Sequence, residues 1–468
     1  MEYNNFIDDE KIFGVLEHTQ KADKSKIDEI LTKALELKGI SYDEVATLLN
    51  VTDEDTLEKL YHTALQIKET IYGNRLVLFA PLYVSNYCSN GCLYCGFRAN
   101  NKELVRACLT PEEVEKETLA ILDQGHKRTL MLMGENHKNC SLDYFIELIN
   151  KVYSVRNSKG SNIRRVNVEI APLTDEEFQR LSQVKIGTYT VFQETYHRET
   201  YKAMHPYGKK SEYDWRVFVM DRALRNGMND VGLGALFGLY DYKYEVMGLI
   251  SHARHLDQEY GVGPHTISFP RIQPAQNAPA SHDLKHAVND QEFKKIVAIV
   301  RLAVPYTGMI ISTRESVAMR NQLIDMGVSQ ISAGSRTDVG GYEDEGKHSK
   351  DDGVGQFSLN DNRNCGEVIR DVMKAGFVPS FCTGCYRLGR VGADFMDMAK
   401  PGLIKMHCLP NALSTLEEYL VDYADEETKK IGEELIAREL NDIPSPERRA
   451  KTIEYLDRIK KGERDLYF

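Results

Sequence analysis

Apolar positions recur at a helical spacing through residues 1–75. The stretch "SYDEVATLLN" (41–50) opens with Ser41 three residues before Glu44, the spacing of a capping box. "TDEDTLEKLYHTALQIKETIYG" (52–73) keeps the helical period and stops at Gly73. Packed helical hairpins are expected here. From residue 76 the pattern changes to short β-rich apolar runs separated by helical stretches. The runs are "LVLFAPLYV" (76–84), "TLMLMGE" (129–135), "VNVEIAP" (166–172), "TYTVFQET" (188–195), "VGLGALFGL" (231–239), "HTISFPRIQ" (265–273), "GMIISTRE" (308–315) and "QISAGSRTD" (330–338). Strands alternating with helices predict parallel βα units. Eight such units have the size of a (β/α)8, TIM-type barrel. Several runs end on polar residues: Glu135, Glu194, Gln273, Arg314, Glu315 and Arg336. The C-terminal strand ends of such a barrel carry its chemistry, although any one of these residues serves equally well as a strand cap. "GGYEDEGKHSKDDGVGQ" (340–356) reads as an exposed loop or linker. The predicted organisation is an N-terminal helical extension (1–75), a barrel (76–340) and a mainly helical C-terminal domain (341–468).

Composition narrows the function more than the fold. The 468 residues are 42% hydrophobic and 28% charged, which is ordinary for a soluble globular protein. A net charge of -11 disfavours nucleic acid and anionic membranes as partners. The acidic N-terminus "MEYNNFIDDEKIFG" lacks the apolar core of a signal peptide. No apolar run approaches a membrane span, so a cytoplasmic protein is expected. Nine cysteines, an odd number, argue against a disulfide framework. Six of them fall into two clusters; Cys108, Cys140 and Cys365 lie outside both and are expected in apolar packing.

The first cluster is "NYCSNGCLYCGF" (86–97), with Cys88, Cys92 and Cys95 in a C-x3-C-x2-C pattern. It follows the first predicted strand, at the reactive end of the barrel. A structural zinc site and a cubane iron–sulfur cluster both normally take four protein ligands. Three thiolates leave one iron open to a non-protein ligand; the alternative is a zinc completed by a distant Cys or His. The second cluster is Cys382 and Cys385 in "FCTGCYRLGR" with Cys408 in "KMHCLPNA", spaced C-x2-C-x22-C. A thioredoxin-like dithiol is disfavoured because no strand is predicted before it and a third cysteine is present. A Cys3His zinc site using His407 stays open.

The first motif, with Tyr94 as its aromatic and Phe97 closing it, resembles the signature of radical S-adenosylmethionine (SAM) enzymes. That resemblance implies a [4Fe-4S] cluster whose open iron chelates SAM, and a 5′-deoxyadenosyl radical as the reactive species. "MLMGENH" resembles the GGE motif that contacts the SAM amino group, through Gly134 and Glu135, with Met133 in place of the first glycine. "VGLGALFGL" resembles the glycine-rich strand beside the adenine. Arg216, eleven residues before Gly227, resembles the arginine that holds the SAM carboxylate in the biotin-synthase-like branch. A lone helical arginine is otherwise a solvated surface residue. Glu194 is the candidate for the SAM ribose.

With the second cluster included, the chain resembles the tyrosine lyases of [FeFe]-hydrogenase maturation over nearly its whole length. The resemblance implies that Cys382, Cys385 and Cys408 hold an auxiliary [4Fe-4S] cluster, bridged through a non-protein cysteine to an additional iron. His265 is the implied protein ligand of that iron, at the N-terminal mouth of the barrel. L-tyrosine would be cleaved to p-cresol and dehydroglycine. Dehydroglycine would cross the barrel and yield carbon monoxide and cyanide for an Fe(CO)2CN precursor of the H-cluster. Other hydrogenase maturation proteins are the implied partners. Arg314, Ser335 and Arg336 are the candidates for the tyrosine carboxylate, Arg314 foremost. The rival enzyme is 2-iminoacetate synthase of thiamine biosynthesis with a structural C-terminal metal site; that family lacks the second triad. A non-catalytic iron–sulfur carrier is the rival of another class, and Glu135 and Arg216 argue against it.

Overall fold

The computed structural model describes residues 5–19, 23–343 and 355–468. Most of the predicted loop at 340–356 lies outside the described residues. Eight parallel strands close a barrel: β1 (Arg75–Ser85), β2 (Arg128–Met133), β3 (Arg165–Glu169), β4 (Tyr189–Thr190), β5 (Val231–Gly234), β6 (Thr266–Ser268), β7 (Gly308–Ile311) and β8 (Gln330–Ser332). The order runs β2 through β8 to β1, and β1 pairs again with β2 to shut the ring. The expected (β/α)8 barrel is therefore the fold, although most strands are shorter than the apolar runs that predict them. The run at 188–195 gives only two strand residues, because the chain leaves the sheet and Glu194 adopts a left-handed φ of 72°.

Four helices precede the barrel, and the Ser41–Glu44 capping box forms in the third of them. The helix Glu54–Tyr72 packs on the barrel helix Asp290–Ala303, and its C-cap Gly73 has a φ of 67°. A ninth strand, β9 (Val378–Ser380), was not legible in the sequence. It pairs in parallel with Arg75–Val77 at the start of β1, below the reach of β2. "VPS" is too short and too interrupted by proline to read as a strand. The C-terminal helix Lys405–Asp422 packs against it, and Glu426–Glu439 and Pro446–Lys460 pack in turn on that helix.

A buried ionic clip ties the segment after residue 355 to the barrel wall. The Arg320 guanidinium pairs with Asp361 and donates to the Ser332 carbonyl of β8. Arg363 Nη2 donates to the same carboxylate at 2.6 Å. Burial opposes the ionisation of Asp361, but Arg363 and Arg320 outweigh it and hold its pKa below the usual range. Removing one partner of such a pair strands a buried charge, at about 3–5 kcal/mol. Asp361→Ala is therefore expected to lose about that much stability in chemical denaturation, and Arg320→Met with Asp361→Leu far less. The carboxylate's contribution is present above the ordinary aspartate range and is lost as pH falls through its depressed pKa. The wild-type advantage over Asp361→Ala should shrink in acid.

Candidate active site

Side chains alternate across a strand, and here the alternation places polar groups inside. In β3, Val166 and Val168 are buried in the hydrophobic layer under the helices, whereas Asn167 and Glu169 line the barrel interior. The interior is not filled. An upper cavity, with about 850 Å3 of empty space including its opening, is lined by Tyr83, Asn167, Glu169, Thr190, Arg314, Ser335 and the later residues of the strands. A lower cavity, with about 590 Å3 of empty space including its opening, is lined by Arg75, Arg128, His265, Cys382, Cys385 and Cys408. Gln330, the first residue of β8, lines both. Gly308 of β7 makes room for it: a Cβ there would lie 2.3 Å from Gln330 Nε2.

The first cysteine triad sits on the loop that leaves β1 above the upper cavity. Gly96 N–H donates to the Gln356 carbonyl at 3.0 Å, and the Tyr83 hydroxyl donates to Gln356 Oε1 at 2.8 Å, so this loop and residue 356 close one mouth together. Phe97 packs edge-on against Tyr83 at 5.8 Å. Tyr94 is buried, its hydroxyl 2.7 Å from His205 Nε2, and with Cys92 it packs against Leu236 and Leu239 of the predicted glycine-rich run. Gly134 lies hard against the loop, since a Cβ there would meet the Tyr87 carbonyl oxygen at 2.3 Å. Glu135 Oε2 accepts from Asn90 Nδ2 at 2.7 Å, while its buried Oε1 has no hydrogen-bond partner. Glu194 pairs with Lys210 at 2.6 Å and with Arg216 at 3.5 Å. Burial opposes its charge, but those two cations hold its pKa below the usual range. Arg216 is buried, not solvated: its Nε donates to the Phe192 carbonyl at 2.7 Å, which fixes it beside the site. Sequence reasoning missed Asn90, although it sits inside the cysteine motif between Cys88 and Cys92, and His205 and Lys210, which carry no motif and reach the site only through folding.

The second triad lies at the opposite mouth. β9 ends two residues before Cys382, so the expectation that no strand precedes this motif is corrected; Cys408 remains the argument against a thioredoxin-like dithiol. Cys385 sits in the short helix Gly384–Arg387 and Cys408 in the first turn of Lys405–Asp422. His265 faces them across the lower cavity, with Nε2 2.8 Å from the Tyr386 hydroxyl and Nδ1 3.3 Å from Asp230 Oδ1. A carboxylate on Nδ1 is the arrangement that orients a ligating histidine. His407 lines the same cavity, and its Nδ1 faces Arg448 at 3.2 Å. Burial pushes Cys92 and Cys385 up to about 12, so these thiols ionise only when cations replace their protons. Three thiols on one loop, an orphaned Glu135 oxygen and the close approach at Gly134 fit a thiolate-held cluster with SAM at the upper mouth. The lower triad has the donors for a second cluster.

The carboxylate candidates separate. Arg314 and Ser335 line the upper cavity; the buried Ser335 hydroxyl has no partner, and the Arg314 guanidinium stacks 3.2 Å from the Phe357 ring centroid. Arg336 does not line it; its Nη1 donates to the Ser335 carbonyl at 3.3 Å. Of the remaining cysteines, Cys365 and Cys140 are buried as expected. Cys108 is only half-buried, because it sits on a loop bridged to Ser85 at the barrel rim.

Comparison with known proteins agrees with this geometry. The radical SAM superfamily profile matches residues 82–250, and that of the biotin and thiamin synthesis associated domain matches residues 268–378. The 2-iminoacetate synthase of Escherichia coli (strain K12) is 31% identical over 76% of this chain and 91% of its own length. The crystal structure of HydG, a maturase of the [FeFe]-hydrogenase, superposes with a TM-score of 0.95 at 51% identity, covering 99% of this chain and 100% of that one. HydG from Carboxydothermus hydrogenoformans superposes with a TM-score of 0.82 at 40% identity, over 96% and 97% of the two chains. None of the helices among the described residues is long and apolar enough to cross a membrane. The chain belongs to the radical SAM superfamily, among the HydG-type maturases of [FeFe]-hydrogenase.

Proposed function

We propose that this enzyme is a carbon–carbon lyase that splits L-tyrosine into p-cresol and dehydroglycine, and then converts dehydroglycine into carbon monoxide and cyanide for an Fe(CO)2CN precursor. The observation that carries the reading is the pair of cysteine triads at opposite mouths of one barrel, with cavities that share Gln330 as a wall. In this reading Cys88, Cys92 and Cys95 hold a [4Fe-4S] cluster with SAM, which supplies a 5′-deoxyadenosyl radical when reduced. Gly134 gives the SAM amino group close access to the backbone, and the spare Glu135 oxygen accepts from it. Arg216 takes the SAM carboxylate, Glu194 the ribose, and Tyr94 and Phe97 wall the cluster loop from water.

Below this, Arg314 and Ser335 hold the tyrosine carboxylate; a guanidinium and an unpaired hydroxyl in one buried cavity suit that group. The amino group is then the site of hydrogen abstraction. Asn167, Thr190, Thr266 and Gln330 offer polar contacts on the way to the lower cavity. There Cys382, Cys385 and Cys408 hold the auxiliary [4Fe-4S] cluster. His265, with Asp230 against its Nδ1, would ligate the additional iron, a non-protein cysteine completing the site. Other hydrogenase maturation proteins would receive the product. The sequence similarity to 2-iminoacetate synthase favours one alternative: the first cleavage alone, with a structural metal in the lower cavity.

Anaerobic turnover of the reconstituted enzyme with tyrosine, SAM and a reductant separates the two. The two-site reading predicts p-cresol and carbon monoxide together, with Cys382→Ala keeping p-cresol and losing carbon monoxide. p-Cresol without carbon monoxide from the fully loaded wild type would favour the alternative. Gln330→Phe is expected to leave p-cresol formation little changed while lowering carbon monoxide. Glu135→Ala removes a hydrogen bond to a charged group, worth about 1.5–3 kcal/mol. SAM affinity should therefore fall about tenfold or more, measured by equilibrium binding to the cluster-loaded, unreduced enzyme.

A further inference from the structure

The upper cavity contains an acid that the reading above leaves unused. Glu169 is the last residue of β3 and lines the cavity. Among the described residues its carboxylate makes no hydrogen bond and no ion pair. Arg314 follows β7, and β3 and β7 stand four strands apart in a ring of eight, on opposite walls. Two long side chains of opposite charge thus reach inward from facing walls without closing on each other. Each lines the cavity half-buried and without an ionic partner, so a ligand that supplies one gains a charge-assisted contact at each end. The ligand that satisfies both ends carries an anionic and a cationic group a few bonds apart, as an α-amino acid zwitterion does.

We propose that Glu169 receives the substrate's α-ammonium group, opposite Arg314 and Ser335 on the carboxylate, and accepts a proton from it. The inference rests on the tyrosine-lyase reading and extends it to the other end of the amino acid. The step balances: one proton passes from the ammonium nitrogen to a Glu169 oxygen, leaving a neutral amine and a neutral carboxylic acid. A neutral amine is the form from which a hydrogen atom can be abstracted. The placement suits that step. The charged groups facing Glu169 are Glu194 from the loop after β4, Lys210 and Arg216 from the segment that follows, and Arg314 after β7, with the Tyr83 hydroxyl of β1 nearby. Glu194, Lys210 and Arg216 belong to the wall assigned to SAM, so an amine on Glu169 is turned toward the radical source. Burial, with Glu194 adding to it, raises the Glu169 pKa to about 7, which makes it a better proton acceptor than an exposed glutamate.

The test is equilibrium binding to the cluster-loaded enzyme with SAM and no reductant. Three probes are compared: L-tyrosine, 3-(4-hydroxyphenyl)propanoate, which lacks the amine, and tyramine, which lacks the carboxylate. Wild type should prefer tyrosine over the propanoate by about tenfold or more, the size of a hydrogen bond to a charged group. Glu169→Gln should erase that preference while keeping the preference over tyramine; Arg314→Met should do the reverse. Glu169→Asp should restore part of it. Tyrosine binding by wild type should weaken as pH falls through about 7, where the carboxylate gains a proton, and Glu169→Gln should lose this dependence. Unchanged discrimination and pH profile in Glu169→Gln, in a wild type that makes p-cresol, overturns the inference and leaves the lyase reading intact. If wild type makes no p-cresol, the lyase reading fails. The same comparison with L-tryptophan and 3-indolepropanoate then decides the role of Glu169: preference lost in Glu169→Gln upholds it, and preference kept, or none in wild type, overturns it.

Discussion

The structure depends on one constraint: a closed parallel barrel must turn every second strand residue inward, and the sequence does not fill that space with hydrocarbon. The outward set, such as Val166 and Val168, packs under the helices and provides the hydrophobic stabilisation. The inward set mixes Asn167, Glu169, Thr190, Thr266, Gln330 and Ser332 with Phe79, Leu130, Leu132 and Ile310, and lines cavities rather than a packed core. Polar side chains set around open space inside a barrel are a cost for stability. Both mouths are available for chemistry, and each has its own set of three thiols.

The two mouths are built by different means. The upper one follows the general rule for these barrels, with groups at the C-terminal strand ends and on the loops that follow. The lower one is an addition. β9 extends the sheet beside Arg75–Val77, delivers Cys382 and Cys385 to the barrel floor, and the helix Lys405–Asp422 brings Cys408 up from below. His265 is the barrel's own contribution, fixed by backbone bonds from its N–H to the Val231 carbonyl and from Gly308 N–H to its own carbonyl, both 2.8 Å. A residue at the start of a strand is ordinarily structural. Here Asp230 faces its Nδ1 at 3.3 Å, and the Tyr386 hydroxyl, 2.8 Å from Nε2, would have to yield that nitrogen to a metal.

Much of this was legible in the chain. The eight apolar runs, the helical extension and both cysteine triads carry periodic or spacing signals that survive without tertiary context. Strand ends blurred because Glu194 and its neighbours leave the sheet to meet Lys210 and Arg216, an electrostatic preference that no local pattern encodes. β9 was hidden because three residues containing a proline take their strand character entirely from the edge they meet. Glu169 stood in plain view in "RVNVE", whose alternation marks it as inward-facing. Its meaning appeared only when the fold set it across from Arg314. Arg336, next to Ser335 in sequence, lies off the cavity because the chain turns between them.

The central claim is that one barrel holds two separate cluster sites. Iron and acid-labile sulfide, together with the electron paramagnetic resonance spectrum of the reduced protein, measured on the wild type and on two triple variants, test it most directly. Replacing Cys88, Cys92 and Cys95 by alanine should remove one cluster's worth of iron and the signal that SAM perturbs. Replacing Cys382, Cys385 and Cys408 should remove the other and leave the SAM-sensitive signal intact. Full iron content and an unchanged spectrum in the second variant, or zinc bound in place of iron at that triad in the wild type, would contradict the account.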